Sequence, residues 1–249
     1  VKDLNHAKIV MKSLTKTTLY LENLKSYNPD LFVVVAFRIL PQIVWRIPPK
    51  GTFNLHASLL PKYRGAAPIN HAIINGEEES GVTTFFIDKN IDTGEILLQQ
   101  KVQIKNNDTA GSLHDKLMSI GAEVVLETVN QIESNRIIPQ KQTESSELKP
   151  APKIFPKDCF INWNKTGEEI IYFIRGLSPY PAARTNIEIG GNKQLLKIFD
   201  AEFIPQNHEN KTGEIVSDDD CLKIFVKNGL ISLKKVQPES KKAMSISDF

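Results

Sequence analysis

Cysteine is scarce in this chain of 249 residues, which contains only two, Cys159 and Cys221. Their spacing fits none of the paired-cysteine patterns of zinc sites, so we expect no metal. Nothing in the sequence resembles a secretory signal. We therefore expect two free thiols in the reducing cytoplasm rather than a structural disulfide.

Long apolar runs are also absent. The longest, Leu31 to Phe37, is far shorter than the roughly 18 residues that cross a membrane, so we expect no membrane role. Neither sign of charge dominates, because 31 basic and 29 acidic residues give a net charge of +2. Any contact with nucleic acid must therefore come from a local basic patch. With 41% hydrophobic residues, the chain can form a core in one large domain or two smaller ones.

The first half of the sequence alternates helical and extended patterns. The continuous apolar run 31–36 is typical of a strand that is buried on both faces of a parallel sheet. Such alternation predicts an open α/β sheet with its functional site at the carboxyl ends of the strands. The predicted elements are a helix at 15–27, a strand at 31–36, a helical turn at 41–46, a strand at 52–56, a helix at 69–74, strands at 81–87 and 95–104, and a long helix at 109–134.

The composition changes after residue 138. Residues 139–156 are polar, contain prolines and have no sustained apolar period, which predicts a linker. Beyond them, Thr166 and Glu169 have the spacing of a capping box, at the start of a helix that ends near Gly176. Short extended runs separated by turn residues then predict a small β-barrel. These runs lie near residues 185–189, 195–203, 213–216, 222–226 and 230–236.

The most informative residues are Asn54, His56 and Asp92. Side chains alternate along a strand, so Asn54 and His56 point to the same face and can converge on one small group. A carboxamide beside an imidazole can bind a carbonyl oxygen, and the Asp92 carboxylate could orient the imidazole and stabilise its protonated form. Taken alone, Asn54 and His56 also fit a strand end with a hydrogen-bonded core histidine, and Asp92 also fits an ordinary turn.

With their neighbours, these residues resemble the active site of the folate-dependent formyltransferases. The shared features are Asn-x-His at Asn54 and His56, the Ser-Leu-Leu-Pro loop at 58–61 and the distal Asp92. The segment Arg-Gly-Ala-Ala-Pro-Ile at 64–69 is similar to the tRNA-formylating branch of the family rather than the purine-biosynthetic one. The resemblance continues through residues 151–153, 161–163 and 174–181, and so covers nearly the whole chain.

The resemblance implies transfer of the formyl group of 10-formyltetrahydrofolate to the amino group of methionine on initiator Met-tRNA, for translation initiation. It implies a Rossmann-like catalytic domain at 1–138 with a mostly parallel sheet, a linker at 139–156 and an OB-like tRNA-binding domain at 157–249. The sequence begins without Met in what looks like a βα connection, so we expect the catalytic domain to be truncated at its start. We expect a cytoplasmic monomer that uses a folate co-substrate and no metal.

Two alternatives remain open at this stage. One is a related enzyme that formylates a sugar amine or a glycinamide amine. The other is a non-catalytic RNA-binding protein that keeps the same fold. Only the intact set of Asn54, His56 and Asp92 argues against the second.

By the same resemblance, Asn54, His56 and Asp92 are the catalytic residues. Asn54 and protonated His56 would donate hydrogen bonds to the oxyanion of acyl transfer, and His56 with Asp92 would remove the proton of the attacking amine. Arg38 also fits the cap of a sheet edge, and the candidate tRNA contacts also fit a solvated surface. The residues implied to contact folate are Ser58, Leu59, Leu60, Pro61, Arg38, Ile39, Leu40, Ile87, Asp88, Lys89 and Asn90. The candidate tRNA contacts are Lys62, Arg64, Lys234, Lys235, Lys241 and Lys242.

Overall fold

The computed structural model of the protein describes residues 17–35, 40–143, 148–189, 191–218 and 221–249. Two of the predicted folate contacts, Arg38 and Ile39, lie outside the described residues.

The described residues of the first half form a four-stranded sheet with helices packed against it. The strand order is β1-β2-β3-β4. Each element predicted for this half is present, with small shifts at its ends. The elements are α1 (Thr17–Ser26), β1 (Phe32–Val35), α2 (Gln42–Trp45), β2 (Thr52–His56), α3 (Pro68–Ile74), β3 (Glu79–Phe86), β4 (Ile96–Gln103) and α4 (Ala110–Glu133).

The mixed α/β class is confirmed, but the strand directions of this sheet differ from the prediction. β1 pairs with β2 in parallel, whereas β2 with β3 and β3 with β4 pair antiparallel. The described part of the sheet is therefore not mostly parallel. β3 and β4 are joined by the loop 87–95, which contains no helix, and a short loop returns the chain in the opposite direction. β1 is also not buried on both faces, since Val33 and Val35 are 42% and 56% exposed.

The long helix α4 closes the core of this half. Thr109 caps its first turn by accepting a hydrogen bond from the backbone N–H of Ser112. Its buried residues include Leu113, Leu117 and Ile132, which belong to the periodic apolar face predicted from the sequence. Neither α4 nor any other helix of the described residues combines the length and the apolar character needed to cross a membrane.

The described residues of the second half form a curled antiparallel sheet with one α-helix packed against it. The strand order is β5-β6-β9-β8-β7, and β10 pairs with β9. Ile170, Ile174 and Leu177 of the helix are buried in the core of this sheet. The capping box at Thr166 and Glu169 is present, whereas β10 was not predicted. The elements are α5 (Gly167–Leu177), β5 (Ala183–Ile189), β6 (Asn192–Pro205), β7 (Ile215–Asp218), β8 (Cys221–Val226), β9 (Gly229–Pro238) and β10 (Met244–Ser245).

The two halves meet where α5 packs against α3 and the start of α4. A Cβ added at Gly176 would lie 2.5 Å from Cγ1 of Ile74 and 3.0 Å from the carbonyl oxygen of Asn70, so a side chain there would force α3 and α5 to shift. Next to it, the guanidinium of Arg175 donates to the carbonyl oxygens of Asp108 at 2.7 Å and Lys105 at 2.9 Å. Backbone groups of the first half are thus bonded directly to a helix of the second.

The described parts of the predicted linker run along the first sheet. Gln140 and Ile96 each donate a backbone hydrogen bond to the other, at 2.8 Å in both directions. The backbone N–H of Ala151 donates to the carbonyl oxygen of Arg64 at 2.9 Å. These contacts bring residues of 139–156 beside the loops that follow β2 and β3. The division into domains at 1–138 and 157–249 stays a prediction.

Candidate active site

His56 ends β2 and is only 6% exposed. Its ring meets the ring of Phe85 edge-on, at 6.4 Å between centroids. Its Nε2 lies 2.8 Å from the carbonyl oxygen of Tyr63. A carbonyl oxygen only accepts hydrogen bonds, so Nε2 carries a proton and donates it to this bond. The other ring nitrogen, Nδ1, is therefore the atom of His56 that can gain or lose a proton in this geometry.

Asp92 faces that nitrogen from the turn after β3. Its Oδ2 lies 3.8 Å from Nδ1 of His56, which suits an ion pair but is too long for a hydrogen bond. The same oxygen accepts a hydrogen bond from the backbone N–H of Gly65 at 2.9 Å. The carboxylate is therefore held by a backbone donor, and it can stabilise a charge on His56 through space.

Asn54 lies two residues before His56 on β2, so the two side chains lie on the same face of the sheet. The Oδ1 atom of Asn54 is buried and has no hydrogen-bond partner among the described residues. Buried polar atoms nearly always have a partner, so this carboxamide is suited to a polar group of a ligand. The structure thus brings His56 and Asp92 together and places Asn54 beside them. Their catalytic roles stay a prediction.

The loop after β2 is held by a network centred on Thr83, which is fully buried in β3. The Thr83 hydroxyl donates to the carbonyl oxygen of Ser58 at 2.6 Å and accepts from the backbone N–H of Leu60 at 3.1 Å. The amide of Gln99 donates to Thr83 at 2.9 Å and to the carbonyl oxygen of Leu60 at 2.8 Å. We did not predict Thr83 or Gln99, although the two adjacent threonines between Val82 and Phe85 were a usable signal.

The remaining residues in or near this loop that are predicted to contact folate are all apolar. Leu60 is buried, and Pro61 follows it through a cis peptide bond. Leu59 lies against Gly81 of β3, where an added Cβ would come within 2.5 Å of the leucine side chain. Leu40 is partly buried just before α2. The structure therefore fixes the loop 58–61 closely to β3.

The turn after β3 contains the other predicted folate contacts. The Asp88 carboxylate accepts from the backbone N–H of Asn90 at 2.9 Å and from the Thr93 hydroxyl at 2.8 Å, so it caps its own turn. Ile87 continues the pairing of β3 with β2 through its backbone N–H. Lys89 and Asn90 are exposed. The Asp88 oxygens are thus already engaged within the turn. A ligand here would contact backbone groups and exposed side chains instead.

Tyr63 supports the carbonyl that binds His56. Its hydroxyl donates to Glu77 Oε1 at 2.6 Å and accepts from the Asn75 amide at 3.1 Å. Burial and the bond to Glu77 raise the pKa of the Tyr63 phenol well above its ordinary value. Burial favours a higher pKa for Glu77, but hydrogen bonds from Lys149 and Tyr63 outweigh it and lower that pKa. Tyr63 therefore stays neutral and Glu77 charged at neutral pH, which keeps this hydrogen bond in place.

The two candidate tRNA contacts of the first half lie in the loop after β2, near the site. Lys62 is exposed in the loop after β2. Arg64 is partly buried, and its Nε and Nη2 donate to Oε1 of Gln142 at 3.0 Å and 2.7 Å. Gln142 belongs to the predicted linker and was not among the predicted site residues.

Two of the four candidate tRNA-contacting lysines of the second half have an acidic residue on the neighbouring strand. The Nζ atom of Lys234 lies 3.1 Å from Oε2 of Glu202. Lys235 is paired across the strands with Asp200. The charge of Lys234 is therefore partly neutralised by the protein itself. The remaining two candidates, both exposed after β9, are Lys241 and Lys242.

Metal ligands are not clustered in the part of the chain that the structure describes, where no group of three or more His, Cys, Asp or Glu residues could hold a metal ion. Cys159 and Cys221 carry free thiols.

The geometry of the site suits acyl transfer. A carboxamide and an imidazole on one strand lie near a carboxylate from the loop 87–95, beside a second loop whose backbone is fixed. Residues 2–129 match the family model described as "Formyl transferase", and residues 153–249 match the one described as "Formyl transferase, C-terminal domain". The chain belongs to the formyl transferase family.

Individual relatives agree with this family. The methionyl-tRNA formyltransferase of Azobacteroides pseudotrichonymphae genomovar. CFP2 is 51% identical over 237 residues, which cover 92% of this chain and 73% of that relative. WlaRD, a sugar 3N-formyl transferase solved in the presence of dTDP and 5-N-formyl-THF, matches with a TM-score of 0.63 at 26% identity, over 97% of this chain and 86% of WlaRD.

HypX from Aquifex aeolicus, solved in complex with tetrahydrofolic acid, matches with a TM-score of 0.68 over 93% of this chain. The chain spans 40% of the length of HypX, and at 20% identity the likeness concerns the fold alone.

Proposed function

We propose that this chain transfers the formyl group of 10-formyltetrahydrofolate to the amino group of methionine on initiator Met-tRNA, giving formylmethionyl-tRNA for translation initiation. The observation that carries the proposal is the 51% identity to a methionyl-tRNA formyltransferase over 92% of the chain. We further propose that the protein acts as a monomer in the cytoplasm.

The proposed chemistry uses Asn54 and His56 of β2 and Asp92 of the loop between β3 and β4. Attack of the amine on the formyl carbon forms the new C–N bond and places negative charge on the formyl oxygen. The Asn54 carboxamide and protonated His56 are the donors proposed for that oxygen. Since Nε2 of His56 donates to the Tyr63 carbonyl, Nδ1–H is the donor that faces the oxyanion, and it keeps its proton. The proton lost by the amine passes to Asp92 Oδ2, which lies 3.8 Å from Nδ1, directly or through a water. When the C–N bond to folate breaks, the folate nitrogen takes up a proton, which balances the reaction.

The co-substrate supplies the formyl carbonyl, and several residues are suited to hold it. The loop 58–61 has a backbone fixed by Thr83, and of its two leucines Leu59 is the one that is partly exposed. The turn 87–90 presents backbone N–H and C=O groups, which suit the donor and acceptor edge of a pterin. The unpaired carboxamide oxygen of Asn54 fits a polar group of the ligand. Roles for Leu40, Arg38 and Ile39 in this site stay predictions.

The direct test is formylation of Met-tRNA by this chain, with 10-formyltetrahydrofolate carrying a labelled formyl group. We expect transfer of the label, and about a 100-fold to 1000-fold lower turnover in His56→Ala, since losing one oxyanion donor typically costs that much. The matched control is His114→Ala, because His114 is an exposed histidine on α4.

Two results would overturn the proposal in different ways. Formylation of an amino-sugar nucleotide without formylation of Met-tRNA would show that the substrate is wrong. Binding of Met-tRNA with no formyl transfer to either substrate would show that the catalytic assignment is wrong.

A further inference from the structure

The side-chain amide of Gln142 forms four hydrogen bonds between two parts of the site. Its Nε2 donates to the carbonyl oxygens of Asp92 at 2.9 Å and Gly94 at 2.8 Å. Its Oε1 accepts from Nε and Nη2 of Arg64 at 3.0 Å and 2.7 Å. Both N–H donors and both lone pairs of the amide are therefore used.

The neighbours of Gln142 determine which way its amide faces. Turned over, Oε1 would face two carbonyl oxygens and the NH₂ group would face a guanidinium, and neither pair has a hydrogen bond to make. The position therefore suits glutamine and few other residues. Glutamate would keep the bonds to Arg64 but lose both donors to the turn, and methionine would lose all four bonds.

The bonds of Nε2 act on the turn that carries the Asp92 carboxylate. Asp92 has a φ of +56° and Gly65, its backbone donor, has a φ of +126°, so both lie in the left-handed region. A non-glycine residue keeps such a conformation only where its surroundings fix it. Gln142 provides two of the fixing bonds, on either side of Thr93.

We propose that Gln142 is a positioning residue for the formyl transfer, a role that rests on the proposed function. It holds the Asp92 turn at the distance that keeps Oδ2 at 3.8 Å from Nδ1 of His56. Through Oε1 it also joins this turn to Arg64, a candidate tRNA contact. Gln142 thus connects a residue proposed to bind the substrate with a carboxylate proposed to act in the reaction.

Three variants separate the parts of this proposal. Gln142→Glu keeps the size of the side chain and the bonds to Arg64 but removes both donors to the Asp92 turn. Gln142→Met removes all four bonds at similar volume. Gln140→Glu is the matched control, because Gln140 lies two residues away with an exposed side chain. We would measure kcat and KM for formylation of Met-tRNA, thermal unfolding, and the NMR signals of the His56 ring without substrate.

We expect kcat to fall about 10-fold to 100-fold in both Gln142 variants, since a small misplacement of a reacting group has effects of this order. KM for the folate should change little. The His56 signals should shift in both variants and stay unchanged in Gln140→Glu.

Gln142→Glu decides the matter, because it preserves the contact with Arg64. A wild-type kcat with unchanged His56 signals in Gln142→Glu would overturn the positioning role, even if Gln142→Met does not fold. A wild-type protein that fails to formylate Met-tRNA would overturn the proposed function instead. In that case, shifted His56 signals in Gln142→Glu would still support the positioning role.

Discussion

Replacing Asp92 with asparagine tests the proposed pair with His56 while changing little else. Asparagine has the same shape, and its Oδ1 can still accept the hydrogen bond that Gly65 donates at 2.9 Å. What is removed is the negative charge 3.8 Å from Nδ1 of His56. We therefore expect Asp92→Asn to lower kcat and to leave KM for both substrates near the wild-type value.

The size of this loss follows from the distance and the burial. Two unit charges about 4 Å apart attract each other by about 4 kcal/mol at an effective dielectric constant of about 20. The side chains of His56 and Asp92 are 7% and 14% exposed, so water screens the pair only weakly. Removing both charges from water offsets part of the attraction. If about half remains, roughly 2 kcal/mol is lost in the variant and kcat falls about 30-fold.

The assay is steady-state formylation of Met-tRNA across a range of pH. Asp115→Asn is the matched control, because it makes the same charge change at an exposed position of α4. A wild-type kcat in Asp92→Asn would refute the pairing of Asp92 with His56. Equal losses in Asp92→Asn and Asp115→Asn would refute a local effect at the site.

Three further predictions address the oxyanion donor, the stability of the first half and the tRNA-binding surface. Asn54→Ala should lower kcat about 100-fold to 1000-fold with an unchanged unfolding temperature, as checked by the same assay and by thermal denaturation. Burial alone would raise the pKa of Asp108. The hydrogen bonds that its carboxylate accepts, first that from Lys116, outweigh burial, so the pKa of Asp108 is lowered. A lowered pKa contributes stability above the unfolded value of about 4, and that stability is lost as the pH falls through the folded value. In urea denaturation, Lys116→Met should therefore be less stable than wild type by about 1–3 kcal/mol at neutral pH, and the difference should shrink in acid. Replacing four lysines of the second half with alanine should flatten the salt dependence of tRNA binding without changing folate affinity. The log slope should change by about 0.9 for each lysine–phosphate interaction removed from a duplex, or about 0.7 from a single strand. An unchanged slope would move the tRNA site toward Lys62 and Arg64. The four lysines are Lys234, Lys235, Lys241 and Lys242.

Local patterns in the sequence predicted the elements well, because each depends on neighbouring residues. The apolar spacing through Leu113 and Leu117 indicates the buried face of α4, and the capping box at Thr166 indicates the start of α5. Strand direction depends instead on which distant strands pair. The turn at 87–95 joins β3 and β4 as antiparallel neighbours, and no periodicity within either strand distinguishes that from a crossover.

The residues of the site could likewise be predicted from local patterns but not where they depend on contacts with distant segments. Asn54 and His56 could be predicted to share a face, since strand side chains alternate. Asp92 alone also fitted an ordinary turn aspartate, and its 3.8 Å distance to His56 comes only from the structure. Gln142 could not be found from the sequence, because Nε2 binds backbone oxygens 48 and 50 residues earlier, in a segment whose polar composition predicts a linker.

The bonds from Arg175 to the carbonyl oxygens of Asp108 and Lys105 have a consequence for how the molecule melts. The Asp108 carboxylate also accepts hydrogen bonds from Ser112 and Lys116 of α4. Asp108 therefore links the start of α4, in the first half, to α5, in the second. Loosening α5 would therefore expose polar groups at the start of α4, and fraying of α4 would release Arg175. Thermal unfolding should then be cooperative across both halves, with a single calorimetric transition whose van't Hoff and calorimetric enthalpies agree.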